Sequence, residues 1–206
     1  MSYEPSAKDV KELRERTGAG IMDAKAALAE ADGDLEKAIE LLRVKGQASA
    51  AKRSGRSTSE GAVASYIHAT GRVGVLVEIQ CETDFVARNE DFQDFAREVA
   101  IHIAGSPNVP QYVSADEIPE EAKEAERKVY AAKAAEEGKP EDIIQKIVEG
   151  QISKWAKDVA LLEQEHIRTD MHEGKTIEQL RQGLAANTGE NIRIARFAIF
   201  AVGESV

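Results

Sequence analysis

Between residues 1 and 46 the apolar positions recur three and four apart; from residue 62 they recur every second position. The first spacing is that of amphipathic helices and the second that of half-buried strands. Ser6 with Asp9 behind it is placed to cap a first helix carrying Val10 and Leu13 on one face, and Thr17-Gly18-Ala19-Gly20 breaks it. A second helix is predicted from about Met22 to Ala31, stopped at Asp32-Gly33 because glycine suits the left-handed position after a helix. Asp34 caps a third, in which Leu35, Ala38, Ile39 and Leu42 share a face and which Gly46 ends. Residues 1–46 thus read as a three-helix bundle with a small, modestly stable core. Residues 47–61, QASAAKRSGRSTSEG, contain no large apolar side chain and read as a linker with helical potential at its start.

Strands are predicted over Ala62–Ala69 and Val73–Cys81, joined at Thr70-Gly71-Arg72 as a hairpin. Val73, Val75, Val77, Ile79 and Cys81 share one face of the second strand; Leu76, Glu78 and Gln80 share the other. The run Thr83-Asp84-Phe85-Val86-Ala87-Arg88-Asn89 then turns the chain toward a helix starting near Glu90. Phe85 and Val86 are apolar residues in a turn bounded by charges. Two readings stand: Phe85 folds back under the helix as a plug, or it is offered outward to a partner's pocket.

Asn89 caps a helix striped by Phe92, Phe95, Val99 and Ile103 and closed by Gly105-Ser106-Pro107. A helical hairpin follows over about 116–163. Its first arm carries Ala122, Ala125, Val129 and Ala132; after Gly138-Lys139-Pro140 the second carries Val148, Ile152, Trp155, Val159 and Leu162. Alternating spacing of three and four on both arms predicts a short antiparallel coiled coil. Thr176 and Gln179 form a capping box for a helix with Ile177, Leu180 and Leu184, ended near Thr188-Gly189. The last strand, about Ile192 to Val202, is apolar on both faces from Phe197 onward. A sheet with one wet face alternates, so a second layer is expected, and a homodimer through the core sheet supplies it. The fold class is α+β: a helical bundle over 1–46, a linker over 47–61, and an antiparallel-sheet core with packed helices over 62–206.

Composition narrows the function. The 206 residues carry a net charge of −10, which disfavours nucleic-acid phosphate and anionic lipid as partners. Lys52, Arg53 and Arg56 form a local basic group, read as solvated or as an RNA contact. The single cysteine, Cys81, ends an apolar stripe and reads as a buried small hydrophobe; one cysteine fits a reducing cytoplasm. The start MSYEPSAKDV lacks signal-peptide features, and no apolar run reaches the roughly 20 residues of a membrane span. Gly18 and Gly20 lack the Lys-Ser/Thr of a phosphate loop. His68, His102, His166 and His172 lie far apart in no metal spacing, and the carboxylates read as solvated. No catalytic residue, metal ligand or cofactor is expected, and the chain does not read as an enzyme.

Several segments, in order along the chain, resemble the bacterial translation elongation factor Ts family in its short form. They are Arg16-Thr17-Gly18-Ala19-Gly20-Ile21-Met22-Asp23-Ala24-Lys25, Gly33-Asp34-Leu35-Glu36-Lys37-Ala38, Glu82 through Asn89, Leu161-Leu162-Glu163-Gln164 and Gly189-Glu190-Asn191-Ile192-Arg193. The resemblance implies an N-terminal bundle similar to ubiquitin-associated (UBA) domains and a guanine-nucleotide exchange factor for elongation factor Tu. It implies binding of the GDP form of Tu, with Thr83, Asp84, Phe85 and Val86 disturbing the partner's Mg2+ site. It further implies a second contact through Gly18, Ala19, Gly20, Ile21 and Met22. Long members carry a second copy of the core half; short members supply it by pairing two chains. Taken alone, the N-terminal bundle also fits a module binding a ubiquitin-like protein, and the basic group fits an RNA- or ribosome-associated factor.

Overall fold

The computed structural model describes residues 3–203, so the expected domain bounds at residues 1–2 and 204–206 lie outside the described residues. By compactness the chain divides into two units. One comprises residues up to Val63, Glu78–Ala96 and Gln179–Ile194; the other comprises Ala64–Val77, Arg97–Glu178 and residues from Ala195 on.

The first unit opens with α1 (Ala7–Thr17), α2 (Ile21–Glu30) and α3 (Leu35–Arg53). Ser6 caps α1 by accepting from the Asp9 N–H at 3.2 Å, and Asp34 caps α3 by accepting from the Lys37 N–H at 3.1 Å. The helices close on Leu13, Ala24, Ala27, Leu28, Ala31 and Ala38, with Tyr3, Val10, Leu35, Ile39, Leu41 and Leu42 around them. Between α2 and α3, Asp32 (φ 50°) and Gly33 (φ 82°) are both left-handed. The Tyr3 ring lies over Gly33 and would have to shift to admit a Cβ, but it is the backbone angle that favours glycine there.

Helix α3 does not end at Gly46; it continues to Arg53, so the boundary expected at 46/47 falls inside a helix. A mid-helix glycine costs only about 1 kcal/mol relative to alanine, and the following Ala-rich stretch propagates the helix. Gly46 faces Ala186, 3.7 Å from where a β-carbon would sit, and Arg53 donates to the Ala185 carbonyl at 3.2 Å. The expected linker is therefore helical in its first half.

The sheet has the order β1-β2-β3, with β1 at Glu60–Ile67, β2 at Val73–Cys81 and β3 at Arg193–Ala201. Val75, Val77, Ile79 and Cys81 are buried on β2, as their two-residue spacing predicts. Helix α4 (Asp84–Ala87) and helix α5 (Glu90–Gly105) follow β2. The α5 stripe Phe92, Phe95, Val99 and Ile103 is buried throughout.

In the second unit α6 (Glu120–Glu136) and α7 (Glu141–Val159) pair, and α8 (Thr169–His172) follows a turn; α9 (Ile177–Thr188) belongs to the first unit from Gln179. On α7, Val148, Ile152 and Val159 are buried as expected. On α6 the expected seam is wrong: Ala125, Val129 and Ala132 are exposed, and Ala134 is buried with Tyr130 and Arg127 half-buried. The cause is that an alanine-rich helix has little apolar contrast between faces. The aliphatic stem of Arg127 and the Tyr130 ring cover more area than alanine does, while the guanidinium stays wet and pairs with Glu120 at 2.6 Å.

Candidate partner-binding site

The Thr83–Asn89 segment is a single helical turn rather than an irregular loop. Thr83 has extended backbone angles and accepts the Val86 N–H on its hydroxyl at 3.4 Å, which starts α4. The turn is closed behind by the Asn89 N–H to the Val86 carbonyl at 3.0 Å and by Gln93, whose amide donates to the Ala87 carbonyl at 2.6 Å. In a helix of this length one residue faces in and its neighbour faces out. Ala87 is the buried one, Val86 is half-buried, and Phe85 is 81% exposed. Phe85 is therefore not a plug under α5. Ala87 and Phe92 are the buried residues here, and the Phe85 ring stands in water at the corner between β2 and α5.

Asp84 lies beside it, 44% exposed, with Arg88 one turn on at 3.1 Å. A surface pair of this kind contributes only about 0–1 kcal/mol, so Asp84 can exchange Arg88 for another partner at little cost.

The corner is held from behind by residues more than a hundred positions away. Glu190 accepts the backbone N–H groups of Glu82 and Thr83, both at 3.0 Å, and the Thr83 hydroxyl at 2.6 Å. In return Glu82 accepts the Asn191 N–H at 2.6 Å. That bond, and then Arg56 at 3.3 Å, hold the Glu82 carboxyl below its usual range. The Asn191 amide donates to the carbonyls of Arg56 at 2.9 Å and Ser54 at 3.3 Å. Cys81 is fully buried, its thiol donating to the Thr83 carbonyl at 3.2 Å; burial, with Glu190 nearby, pushes it up to about 11. It is inert and part of the same support. Sequence reading noted Gly189–Arg193 only as a matching motif and missed this role, since nothing local signals a contact across such a separation.

The second expected segment is also preformed. Gly18 ends α1 in the left-handed region (φ 70°), its N–H bonded to the Arg14 carbonyl at 2.8 Å. A β-carbon there would fall 2.4 Å from the Asn187 side chain of α9. Arg14 donates to the Ala19 carbonyl at 3.1 Å, and the Thr17 hydroxyl accepts the Ala19 N–H at 3.3 Å. Ile21 and Met22, in the first turn of α2, are 58% and 75% exposed. Both segments thus present bulky apolar side chains outward from helix starts, of which only the Thr83 turn has a side-chain cap, and both belong to the first compact unit.

Within the basic group, Arg53 donates to the Ala185 carbonyl at 3.2 Å and Arg56 pairs with Glu82 at 3.3 Å.

The histidines were expected to lie apart. Three come together in the second unit, with ring centroids 5.4 Å apart for His102 and His166 and 4.1 Å for His166 and His172. Glu98, His166 and His172 bring three ligand-type atoms within 4.8 Å of one another. The hydrogen bonds assign them other work. His166 Nδ1 accepts the Arg168 N–H at 3.1 Å, so Nε2 carries the proton and donates it to the Glu98 carbonyl at 3.0 Å. The Glu98 carboxylate is engaged separately, Oε1 by Arg168 at 2.6 Å and Oε2 by His172 Nε2 at 3.4 Å. Likewise His102 Nδ1 accepts the Ile167 N–H at 3.2 Å and its Nε2 faces Gln164 at 2.8 Å. A cation would have to displace these bonds; as hydrogen-bonded, the group pins the 164–168 segment to α5. Burial lowers both imidazoles, His102 to about 4.

The description "Elongation factor TS" belongs to the family model that matches residues 6–173. The chain is 53% identical to a curated elongation factor Ts of Geobacter metallireducens, covering 98% of this chain and 91% of that one. It is 52% identical to that of Caldanaerobacter subterraneus subsp. tengcongensis over 98% of each chain. With that of Nitratidesulfovibrio vulgaris it shares 54% identity over 96% of each chain.

Proposed function

The chain belongs to the elongation factor Ts family, and from that premise we propose how it acts as a guanine-nucleotide exchange factor for elongation factor Tu. It binds Tu in the GDP form. Phe85 inserts between elements of the partner while Asp84 perturbs the groups that position the Mg2+ water shell. GDP then leaves and GTP loads. Ile21 and Met22, with the Gly18–Gly20 turn that presents them, grip Tu at a second place.

Exchange needs no bond-making residue. A factor that binds best to the state with broken nucleotide contacts speeds release, and linkage makes the antagonism reciprocal: as it weakens GDP, GDP weakens it. Burying one Phe ring contributes roughly 1.5–3 kcal/mol, or about one to two decades in rate. Loss of metal coordination therefore carries the larger share, because Mg2+ joins phosphates to protein. The single observation behind this reading is Phe85, 81% exposed on a turn held at its start by the Thr83 cap and at its end by the Asn89 N–H.

A homodimer through the core sheet completes the proposal. Ile67 (65%), Leu76 (46%) and Phe200 (61%) leave an apolar sheet face open to water. No direct nucleic-acid contact and a cytoplasmic location go with a translation factor of this charge, and no helix among the described residues is long and apolar enough to cross a membrane.

Release of a fluorescent GDP from Tu, followed with and without the protein and over a range of Mg2+, tests the mechanism. Acceleration that excess Mg2+ opposes is expected. Acceleration indifferent to Mg2+ points to a route through the base or ribose and overturns the assignment to the metal site.

A further inference from the structure

We propose that Glu190 is a positioning residue for exchange: its carboxylate presets the Thr83–Val86 turn so that Phe85 and Asp84 meet Tu already oriented. The inference rests on the reading of Phe85 given above.

Glu82 and Thr83 lie just past the end of β2. Their N–H groups both go to one Glu190 oxygen, at 3.0 Å each. The other oxygen takes the Thr83 hydroxyl proton at 2.6 Å. That direction matters. With its proton committed to Glu190, the hydroxyl keeps a lone pair aimed at the Val86 N–H, at 3.4 Å. Glu190 thereby orients the cap of the turn that carries Phe85. The bond from Asn191 N–H back to Glu82 makes the clamp reciprocal. A carboxylate with three donors is held in one geometry, and charge-assisted bonds of this type are about twice as strong as neutral ones. An ordered turn spares the partner the cost of freezing it: when only a fraction of molecules hold the competent shape, apparent affinity falls by that fraction.

The experiment compares full-length Glu190→Ala, Glu190→Gln, Phe85→Ala and the Glu190→Ala/Phe85→Ala double variant. Each is titrated against Tu loaded with fluorescent GDP, and melting is recorded alongside. Glu190→Ala is expected to lose about tenfold or more in stimulated release. Glu190→Gln is expected to lose less than Glu190→Ala but to stay below wild type, because its amide oxygen can accept both N–H groups while its NH2 cannot take the Thr83 hydroxyl proton. The double variant is expected to lose clearly less than the product of the two single losses, since Glu190 acts through the turn that carries both Phe85 and Asp84. Wild-type exchange by Glu190→Ala beside an impaired Phe85→Ala overturns the inference and leaves the reading of Phe85 standing. Losses that multiply in the double variant overturn it too, because Glu190 then acts elsewhere. Wild-type exchange by Phe85→Ala removes the reading itself, and the inference with it. Should Glu190→Ala fail to fold, Thr83→Val, equal in shape but without the hydroxyl, carries the test; undiminished exchange by that variant overturns the inference.

Discussion

Replacing Phe85 by alanine separates what the ring does for this protein from what it is proposed to do inside Tu. The side chain is 81% exposed, so truncation removes almost no internal packing and should leave the melting temperature unchanged. Full burial of a Phe side chain is worth about 1.5–3 kcal/mol. With four-fifths of that still available to a partner, the loss on truncation is about 1.2–2.4 kcal/mol, or roughly 7- to 50-fold. Where the loss falls is diagnostic. A ring that docks only when the nucleotide site is open lowers the plateau rate of GDP release at saturating factor. A ring that serves only as a handle raises the half-saturating concentration and leaves the plateau alone. The wedge mechanism requires the first. A stopped-flow titration of fluorescent GDP release reads both quantities. A Phe85→Ala variant with the wild-type plateau refutes the wedge, whatever its affinity.

Acid should destabilise the fold before the carboxylates titrate. Burial takes His102 from its ordinary 6.5 to about 4, so the unfolded chain binds the proton first. This stabilisation is complete above pH 6.5 and is lost as pH falls toward 4; it amounts to about 2 kcal/mol between pH 7 and pH 5. Urea midpoints at those two pH values check it, His102→Asn should flatten the dependence, and equal midpoints for the wild type contradict it. Leu28→Ala, at a fully buried site in a core otherwise rich in alanine, should cost about 2–5 kcal/mol by chemical denaturation. By loosening the bundle that presents Ile21 and Met22, it should raise the half-saturating concentration more than it lowers the plateau. Phe200→Asp places a charge on the open sheet face and should convert a dimer to a monomer by sedimentation equilibrium; a wild type that is already monomeric at micromolar concentration removes the dimer.

Where the sequence has contrast, the structure was legible in it. The second strand is found over Val73–Cys81 as its alternating valines require, and the α5 stripe is buried residue by residue. The one-turn helix at Asp84 was foreseen as a turn, and its exposed aromatic as one of two alternatives. Contrast failed in two places. Alanine covers most sides of α6, so its inward face was set by Arg127 and Tyr130, side chains that a reading by polarity sends outward. Gly46 resembled a stop, yet the helix runs through it without a positive φ, and a Cβ there would meet Ala186 at an ordinary contact distance of 3.7 Å. The histidine group was illegible for another reason: His102 and Gln164 are 62 positions apart, and spacing along a chain says nothing about that contact.

The same limit explains why the exposed half of the candidate site was read and its support was not. Phe85 stood out locally, as a bulky apolar residue in a turn bounded by charges, whereas Ile21 and Met22 were reached only through the resemblance. Glu190 did not stand out locally. A glutamate after Thr188-Gly189 looks like any solvated carboxylate until the fold places two backbone N–H groups and a hydroxyl against it. The residues at the end of α9 make further contacts of this unannounced kind: Ala185 with Arg53, Ala186 with Gly46, Asn187 with Gly18 and Asn191 with Ser54 and Arg56. A short stretch thus touches both presenting segments or their immediate supports. Each contact opposes independent motion of the Met22 and Phe85 segments, so on the function proposed above Tu would meet two anchors at a spacing fixed before binding. Fixing that spacing in advance reduces the ordering entropy that a flexible linker would impose at the moment of binding, and more of the binding energy is left to act on the nucleotide site.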